Sequence, residues 1–255
     1  MPLKTYEQPL NERMRTCLRL EHLFQRGDIF LRGDDARESL SALLALLELH
    51  DLLTRVDFKR ELMKELERQH AILARLLDAP DVDSGKLQML LRRQKDLIDR
   101  LHAHAGQIGS HLKQHDMLSA IKQRSNIPGG LCDFDIPALH YWLKLDPELR
   151  RSDLQGWLQP FQLVRESLEL ILEVVRNSVG PMRIRAERGF LNQSLEPGVS
   201  YQMVRVFIGD ETPYFPVISG GRQSFSVRFL ALDPREGRSA QTQNDVEFHL
   251  ACCAL

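Results

Sequence analysis

Long apolar runs are absent from this sequence of 255 residues. No window approaches the roughly 18 apolar residues that a membrane-spanning helix needs. The opening segment, MPLKTYEQPLNERMR, also lacks the apolar stretch of a secretory signal. We therefore expect a soluble, cytoplasmic protein that does not insert into a membrane. A strong excess of either charge is absent too, because the formal net charge is -1, so a charged partner must be met by a local surface patch.

Cysteine is scarce, with Cys17, Cys132, Cys252 and Cys253 as the only four. None belongs to the C-x-x-C pair of zinc sites and redox centres, and adjacent cysteines rarely bridge each other because the ring would be strained. This usage is typical of a reduced, cytosolic protein. Cys132 precedes His140, which admits a thiol nucleophile, but its apolar neighbours favour a buried structural cysteine.

Apolar residues recur at helical spacing through most of the chain. Asn11 is a good N-cap for a first helix, which we expect to end near Arg26, where RGDIFLRGDD breaks the pattern. A second helix begins near Asp35, and Asp57 is a candidate N-cap for the third. Later helices are predicted around residues 87–101, 108–124 and 161–177, and a further helix that Asp135 caps is predicted to hold Pro137 in its first turn.

The apolar period changes to two after Gly180 and Pro181, which is typical of strands with one buried face. Turn-rich segments separate these strands and favour antiparallel pairing. We predict an α+β protein with an N-terminal all-helical domain over 11–180 and a smaller antiparallel β-sheet domain over 181–255. Residues 1–10 are extended and suited to add a strand to that sheet. The inward positions are Val204, Val206, Ile208, Phe225, Val227, Phe229, Ala231, Val246, Phe248, Leu250 and Cys252.

Residues suited to catalysis are few and lack the patterns of known sites. His111 and His115 are four apart, a spacing that can bind a metal on a helix, but no H-E-x-x-H motif or carboxylate cluster accompanies them. The glycine-rich SGGRQS, over 219–224, precedes a strand and so differs from a phosphate-binding loop. We expect no catalysis, metal or cofactor. A metal- or thiol-dependent enzyme that uses His111, His115 or Cys132 stays open as the alternative, beside a nucleic-acid-binding protein.

Two groups of cations in the helical region indicate a binding surface instead. The first helix carries basic residues at steps of four, three and four, which places them on one face: Arg15, Arg19, His22 and Arg26. Arg55, Lys59 and Arg60 crowd the start of the third helix, where the helix dipole disfavours each cation by about 0.3–1 kcal/mol. A bound anion would explain their presence there.

The β region has no lysine, so its cations are all arginine, which favours bidentate contact with carboxylates. If Val227 faces inward, Arg228 faces outward, and Arg205 and His249 have the same parity in their strands. One sheet face is therefore expected to be basic, with Arg222 in the adjoining hairpin. An acidic or amphipathic peptide segment fits these cations better than nucleic acid, because the whole chain is nearly neutral.

The stretch QRSNIPGGLCDFDIP, over 123–137, is predicted to be a rigid corner rather than a catalytic loop. Its two prolines fix φ, and Gly129 and Gly130 permit conformations that other residues avoid. We expect Phe134 and Cys132 to pack into the core and Asp135 to cap the next helix. The corner would then hold Arg124 and His140, on either side of it, in a fixed relation.

Five stretches of this sequence resemble the ZapD family of Z-ring-associated proteins in the same order. They are PLNERMRTCLRLE (9–21), ELMKELERQ (61–69), QRSNIPGGLCDFDIPALHYWL (123–143), ISGGRQSFSVRF (218–229) and VEFHLACC (246–253). The resemblance implies a helical domain joined to a β domain, assembled as a homodimer. It also implies binding to the C-terminal tail of FtsZ and cross-linking of FtsZ filaments at midcell, without catalysis or cofactor.

The resemblance further implies a basic tail-binding pocket to which Arg19, Arg55, His140 and Arg228 contribute. Three of these, all but His140, are also cations that the residue patterns single out. The full set predicted to bind the FtsZ tail is Arg15, Arg19, His22, Arg55, Lys59, Arg124, His140, Arg222 and Arg228.

Overall fold

The computed structural model describes residues 3–55, 57–77, 79–80, 82–221, 223–233 and 237–255. The chain divides into one unit of residues 1–18 with 172–255 and a second unit of residues 19–171. Helices precede antiparallel strands along the chain, so the predicted α+β class is confirmed. Within the described residues the α-helices are α1 (Glu12–Leu31), α2 (Ala36–Arg55), α3 (Phe58–Ala74), α4 (Ser84–Ala103), α5 (Asp116–Arg124), α6 (Pro137–Leu143), α7 (Pro147–Leu158) and α8 (Gln162–Arg176).

Helix α1 continues past Arg26 to Leu31, so the predicted end of this helix is wrong. An internal glycine costs a helix about 1 kcal/mol relative to alanine, and tertiary contacts outweigh that cost here. The Arg165 guanidinium donates two hydrogen bonds to the Asp28 carboxylate, at 2.6 and 2.9 Å, and lies 5.7 Å from the Phe24 ring centroid. These contacts hold the segment that follows Gly27 in helical form.

The single helix predicted over 108–124 is also wrong. Residues Ser110–Gln114 form a 3₁₀ turn, His115 is extended with φ -95° and ψ 109°, and α5 begins only at Asp116. The cause lies at Gly109, whose φ of 78° is left-handed and does not belong in an α-helix. A Cβ there would stand 2.6 Å from a Phe161 ring carbon, so close packing leaves room only for glycine.

One predicted helix N-cap is confirmed and another is wrong. Asp57 is the N-cap of α3, as predicted, and its carboxylate accepts a hydrogen bond from the Arg60 backbone N–H at 3.3 Å. Asp135 is not the cap of α6, because Ile136 takes the N-cap position and Pro137 the first helical position. Proline is favoured there, since its missing N–H would have no helical acceptor.

Within the described residues, the strands form two antiparallel four-stranded sheets rather than one. The strands are β1 (Leu3–Pro9), β2 (Met182–Ala186), β3 (Phe190–Ser194), β4 (Tyr201–Gly209), β5 (Tyr214–Gly220), β6 (Ser224–Leu232), β7 (Ser239–Gln241) and β8 (Val246–Ala254). The first sheet has the order β1-β4-β8-β2, so the extended N-terminal segment pairs with β4. The second sheet has the order β3-β6-β5, with β7 also paired to β6.

The two sheets enclose a shared apolar core. Phe229 of β6 and Phe248 of β8 lie with ring centroids 5.0 Å apart, and the inward positions predicted in β4, β6 and β8 are buried apart from Ala231 and Cys252, which are half-buried. Alternation along each strand therefore directs every second side chain away from this core. On the second sheet those outward side chains include Arg228.

Candidate binding surfaces

The basic face of α1 has paired ends and an unpaired middle. Arg15 donates to Glu12 Oε1 at 3.2 Å, and Arg26 donates to Glu48 Oε1 at 2.7 Å. Between them, Arg19 and His22 are exposed, and their side chains make no hydrogen bond or ion pair with any other described residue. A carboxylate arriving from a partner therefore meets a free guanidinium at Arg19.

The cations near the start of α3 differ from this arrangement. Lys59 is half-buried, and its ammonium donates a 2.6 Å hydrogen bond to the His104 backbone carbonyl at the C-terminal end of α4. Because carbonyl ends of helices carry partial negative charge, this contact explains the lysine without a bound anion. Lys59 also lines a cavity of about 450 Å³ together with Asp57, Phe58 and Gln107. Arg55 is the last residue of α2, and its side chain lies outside the described structure.

The corner over 123–137 is built from successive backbone turns. Gly130 N–H donates to the Ile127 carbonyl at 2.9 Å, and Ile136 N–H donates to the Cys132 carbonyl at 3.0 Å. Gly129 has φ 72°, and a Cβ on Gly130 would lie 2.6 Å from the Arg124 carbonyl oxygen, so both glycines are required.

The side chains of this corner do not pack as predicted. Phe134 is 79% exposed and Cys132 is exposed, because Ile136 occupies the core position instead. Arg124 lies 3.7 Å from Asp135, a loose ion pair across the corner. The ring of His140, on α6, is exposed and has no hydrogen-bond or ion-pair partner among the described residues.

Arg205 and Arg228 lie in different sheets, so the single basic sheet face that the strand parity predicted is wrong. Arg205 is half-buried in the first sheet, where it donates to Glu7 Oε1 at 2.9 Å and to the Arg176 carbonyl at 3.0 Å. Arg176 binds the same Glu7 carboxylate at 2.7 Å. These two arginines are thus structural. His249 is half-buried in β8, and Arg222 lies outside the described residues.

Among the residues that the structure describes, Arg228 is the one cation on its sheet face. It lies on β6 directly between Phe190 of β3 and Val217 of β5, and it makes no hydrogen bond or ion pair with any described residue. The sequence predictions did not place Phe190 and Val217 beside Arg228. The alternation of residues along a strand shows which side chains point outward, but it does not show that β3 and β5 pair with β6.

Comparison with known proteins gives a consistent result over nearly the whole chain. The sequence model of a family described as "ZapD: Cell division protein" matches residues 18–228. The chain belongs to the ZapD family. It is 39% identical to a cell division protein ZapD of Aromatoleum aromaticum. The alignment spans 254 residues and covers 100% of this chain and 98% of that relative. It is 37% identical to ZapD proteins of Methylococcus capsulatus and Nitrosomonas eutropha, each over 98% of this chain and 98–99% of the relative.

The ZapD relatives are named for cell division and not for a reaction. The geometry of the candidate metal ligands differs from the expectation, because His111 lies in the 3₁₀ turn and His115 in the extended link, so the two do not share one face of an α-helix. The His115 ring instead packs edge-on against Trp157, with centroids 5.2 Å apart. Among the described side chains, no group of three or more His, Cys, Asp or Glu is placed to hold a metal ion.

The thiols of this ZapD-family chain differ in environment. Burial raises the pKa of the Cys252 thiol to about 11, and burial also raises the pKa of Cys253. Both thiols are therefore protonated near neutral pH, which suits packing rather than nucleophilic attack. Cys132 is exposed. None of the helices within the described ranges has the length and apolar character needed to cross a bilayer.

Proposed function

We propose that this ZapD-family chain promotes assembly of the bacterial division ring by binding the C-terminal tail of FtsZ, the bacterial tubulin homologue. The chain acts in the cytoplasm at midcell as a binding protein, without catalysis or a cofactor. Membership of a family named for cell division supports the cellular role. The observation that carries the binding proposal is that Arg19 and Arg228 are exposed and unpaired among the described residues.

The cations of the proposed site contribute unequally. Arg19, His22, His140 and Arg228 are open to a partner carboxylate, and the charged guanidinium groups among them suit bidentate hydrogen bonds. Arg15, Lys59 and Arg124 already have intramolecular partners, so a tail must compete with or add to those contacts. Arg55 and Arg222 belong to the proposed set on the strength of the sequence alone.

Cross-linking follows if the protein is a homodimer in which each protomer captures one tail. A polymer of FtsZ displays many tails, so a high effective concentration compensates for modest affinity at each site. A disordered tail loses conformational freedom when it binds, which lowers the affinity of each single contact. The dimer would therefore hold two filaments together while each tail exchanges readily.

Charge reversal at the unpaired arginines tests this proposal. Arg19→Glu and Arg228→Glu are each expected to reduce co-sedimentation with FtsZ filaments at least about tenfold, because removing one partner of a hydrogen-bonded charge pair that the complex buries costs about 2–5 kcal/mol. Arg92→Glu is the matched control. Arg92 is an exposed arginine on α4 that has no ion pair among the described residues, and its reversal changes net charge by the same amount.

The control variant should bundle filaments like the wild type. Circular dichroism and the urea midpoint of each variant show whether it is folded. If folded Arg19→Glu and Arg228→Glu proteins both sediment with FtsZ as the wild type does, the proposed site is wrong. If all three reversals weaken binding equally, net charge rather than a defined site governs the interaction.

A further inference from the structure

The second sheet has one face in the core and one face open to solvent. Phe225, Val227 and Phe229 of β6 point into the core. The intervening residues of β6 point outward, and the strand register places Phe190 and Val217 on either side of Arg228. We call this outward side of β3, β5 and β6 the Arg228 face.

The Arg228 face is apolar on both sides of Arg228. Phe190 is 43% exposed and Val217 is 36% exposed, and both are large apolar side chains in direct register with Arg228. The next outward row holds Leu230 beside Phe215, both half-buried. Beyond it, at the end of β6, Leu232 is 56% exposed. Adjacent exposed apolar side chains of this kind mark an interaction surface more often than scattered single ones do.

The polarity of the Arg228 face changes in a defined order along β6. The row of Ser226 is polar, since it pairs with Asn192 on one side and Ser219 on the other. The row of Arg228 combines charge with apolar flanks, and the row of Leu230 is apolar except for Gln241 of β7. Successive outward rows lie about 7 Å apart, because each is two residues further along a strand.

We propose that the Arg228 face binds an extended peptide segment that is apolar as well as acidic. This inference rests on the proposed function and specifies the chemistry of the FtsZ tail segment that docks there. A guest carboxylate binds the Arg228 guanidinium, and an apolar guest side chain two residues away lies over Leu230 and Phe215. Phe190 and Val217 flank the ion pair and exclude water from it, which strengthens the electrostatic attraction.

A second copy of the chain fits this face less well than an acidic guest does. In a two-fold symmetric contact, a residue at the centre of the patch meets its own copy. Two Arg228 guanidinium groups would then approach each other. The described outward residues of β3, β5, β6 and β7 include no aspartate or glutamate to separate them. Charge complementarity therefore favours a partner that brings its own carboxylate.

The test removes apolar surface from the face without changing any charge. A fluorescent peptide of the FtsZ C-terminal tail is titrated with wild-type protein and with a Phe190→Ala, Val217→Thr double variant. We expect the double variant to bind roughly tenfold more weakly. We also expect that factor to persist between about 0.05 M and about 0.5 M salt, because salt screens charges but not apolar burial.

A second double variant, Phe134→Ala with Val199→Thr, is the matched control. It makes the same two changes of residue type at exposed positions elsewhere, since Phe134 is 79% exposed and Val199 is 38% exposed. Its affinity should stay within about twofold of the wild type. Equal urea midpoints for the two double variants show that both are folded and comparably stable.

The outcomes separate the two proposals. If the wild type binds the tail and the Phe190→Ala, Val217→Thr variant binds equally well, the inference about the Arg228 face is wrong and the proposed function stands. If the wild type does not bind the tail at all, the proposed function fails and the inference fails with it. Loss of dimer in the same variant, measured by analytical ultracentrifugation, would instead identify the face as a self-association surface and overturn the inference.

Discussion

Arginines that look alike in the sequence have different roles because their neighbours differ. Arg176 and Arg205 share the Glu7 carboxylate, at 2.7 and 2.9 Å, in a half-buried network against the first sheet. Arg19 and Arg228 have no such partner among the described residues. Strand parity in the sequence groups Arg205 with Arg228. The structure shows that Arg205 is instead neutralised by Glu7, which lies 198 positions away along the chain.

Glu7 is therefore expected to matter for stability more than an exposed carboxylate does. Glu7→Gln removes the carboxylate that two partly buried guanidinium groups share, and we expect it to lower the free energy of unfolding by about 2–4 kcal/mol. Glu247→Gln is the matched control, because Glu247 pairs with Arg183 at an exposed position, where solvent screens the ion pair and little stability depends on it. Urea denaturation followed by circular dichroism measures both. Losses of similar size would contradict the network's importance.

At the scale of elements, local sequence signals located most helices. The prediction omitted α7, although Asp146 and Pro147 form a helix start there, and it was wrong at two places where packing decides. Helix α1 extends through Gly27 because Asp28 and Arg165 bind each other, a contact between residues 137 positions apart. The segment 108–124 breaks because Gly109 lies against Phe161, which the apolar period around Leu112 does not reveal. Asp57 was predictable as a cap, since capping acts within one helical turn.

The break at Gly109 can be tested against a glycine with the same φ. Gly106 and Gly109 both have φ 78°, but a Cβ on Gly106 meets nothing within 4 Å, whereas one on Gly109 meets Phe161 at 2.6 Å. Gly106→Ala is expected to cost about 1 kcal/mol from backbone conformation. Gly109→Ala should cost roughly 1–3 kcal/mol more from overpacking. Equal shifts in the urea midpoint would show that Phe161 does not constrain this turn.

The sequence predicted individual cations of the candidate site but not the apolar residues that surround them. The spacing of Arg19 on α1 and the parity of Arg228 on β6 identify both as outward cations from sequence alone. The apolar flanks of Arg228 depend on the pairing of β3 with β6, whose paired residues are 30 or more positions apart. The exposure of Phe134 was predicted wrongly, because several apolar residues compete for one core position and Ile136 takes it.

For the whole molecule, the ZapD family membership supports a role in cell division. We propose that this chain performs that role by binding the FtsZ tail, and not the FtsZ body, through surfaces suited to an acidic, partly apolar strand. The short, exposed basic patches described above suit a flexible guest, which presents carboxylates in many geometries.

Co-sedimentation of this protein with full-length FtsZ and with FtsZ lacking its C-terminal tail tests that claim most directly. Both forms of FtsZ must polymerise to the same extent when GTP is added, so that only the tail differs between them. We predict that the protein pellets with and bundles full-length filaments, and that it stays in the supernatant with tail-less filaments. Equal pelleting with both forms, or pelleting with neither, would contradict the account.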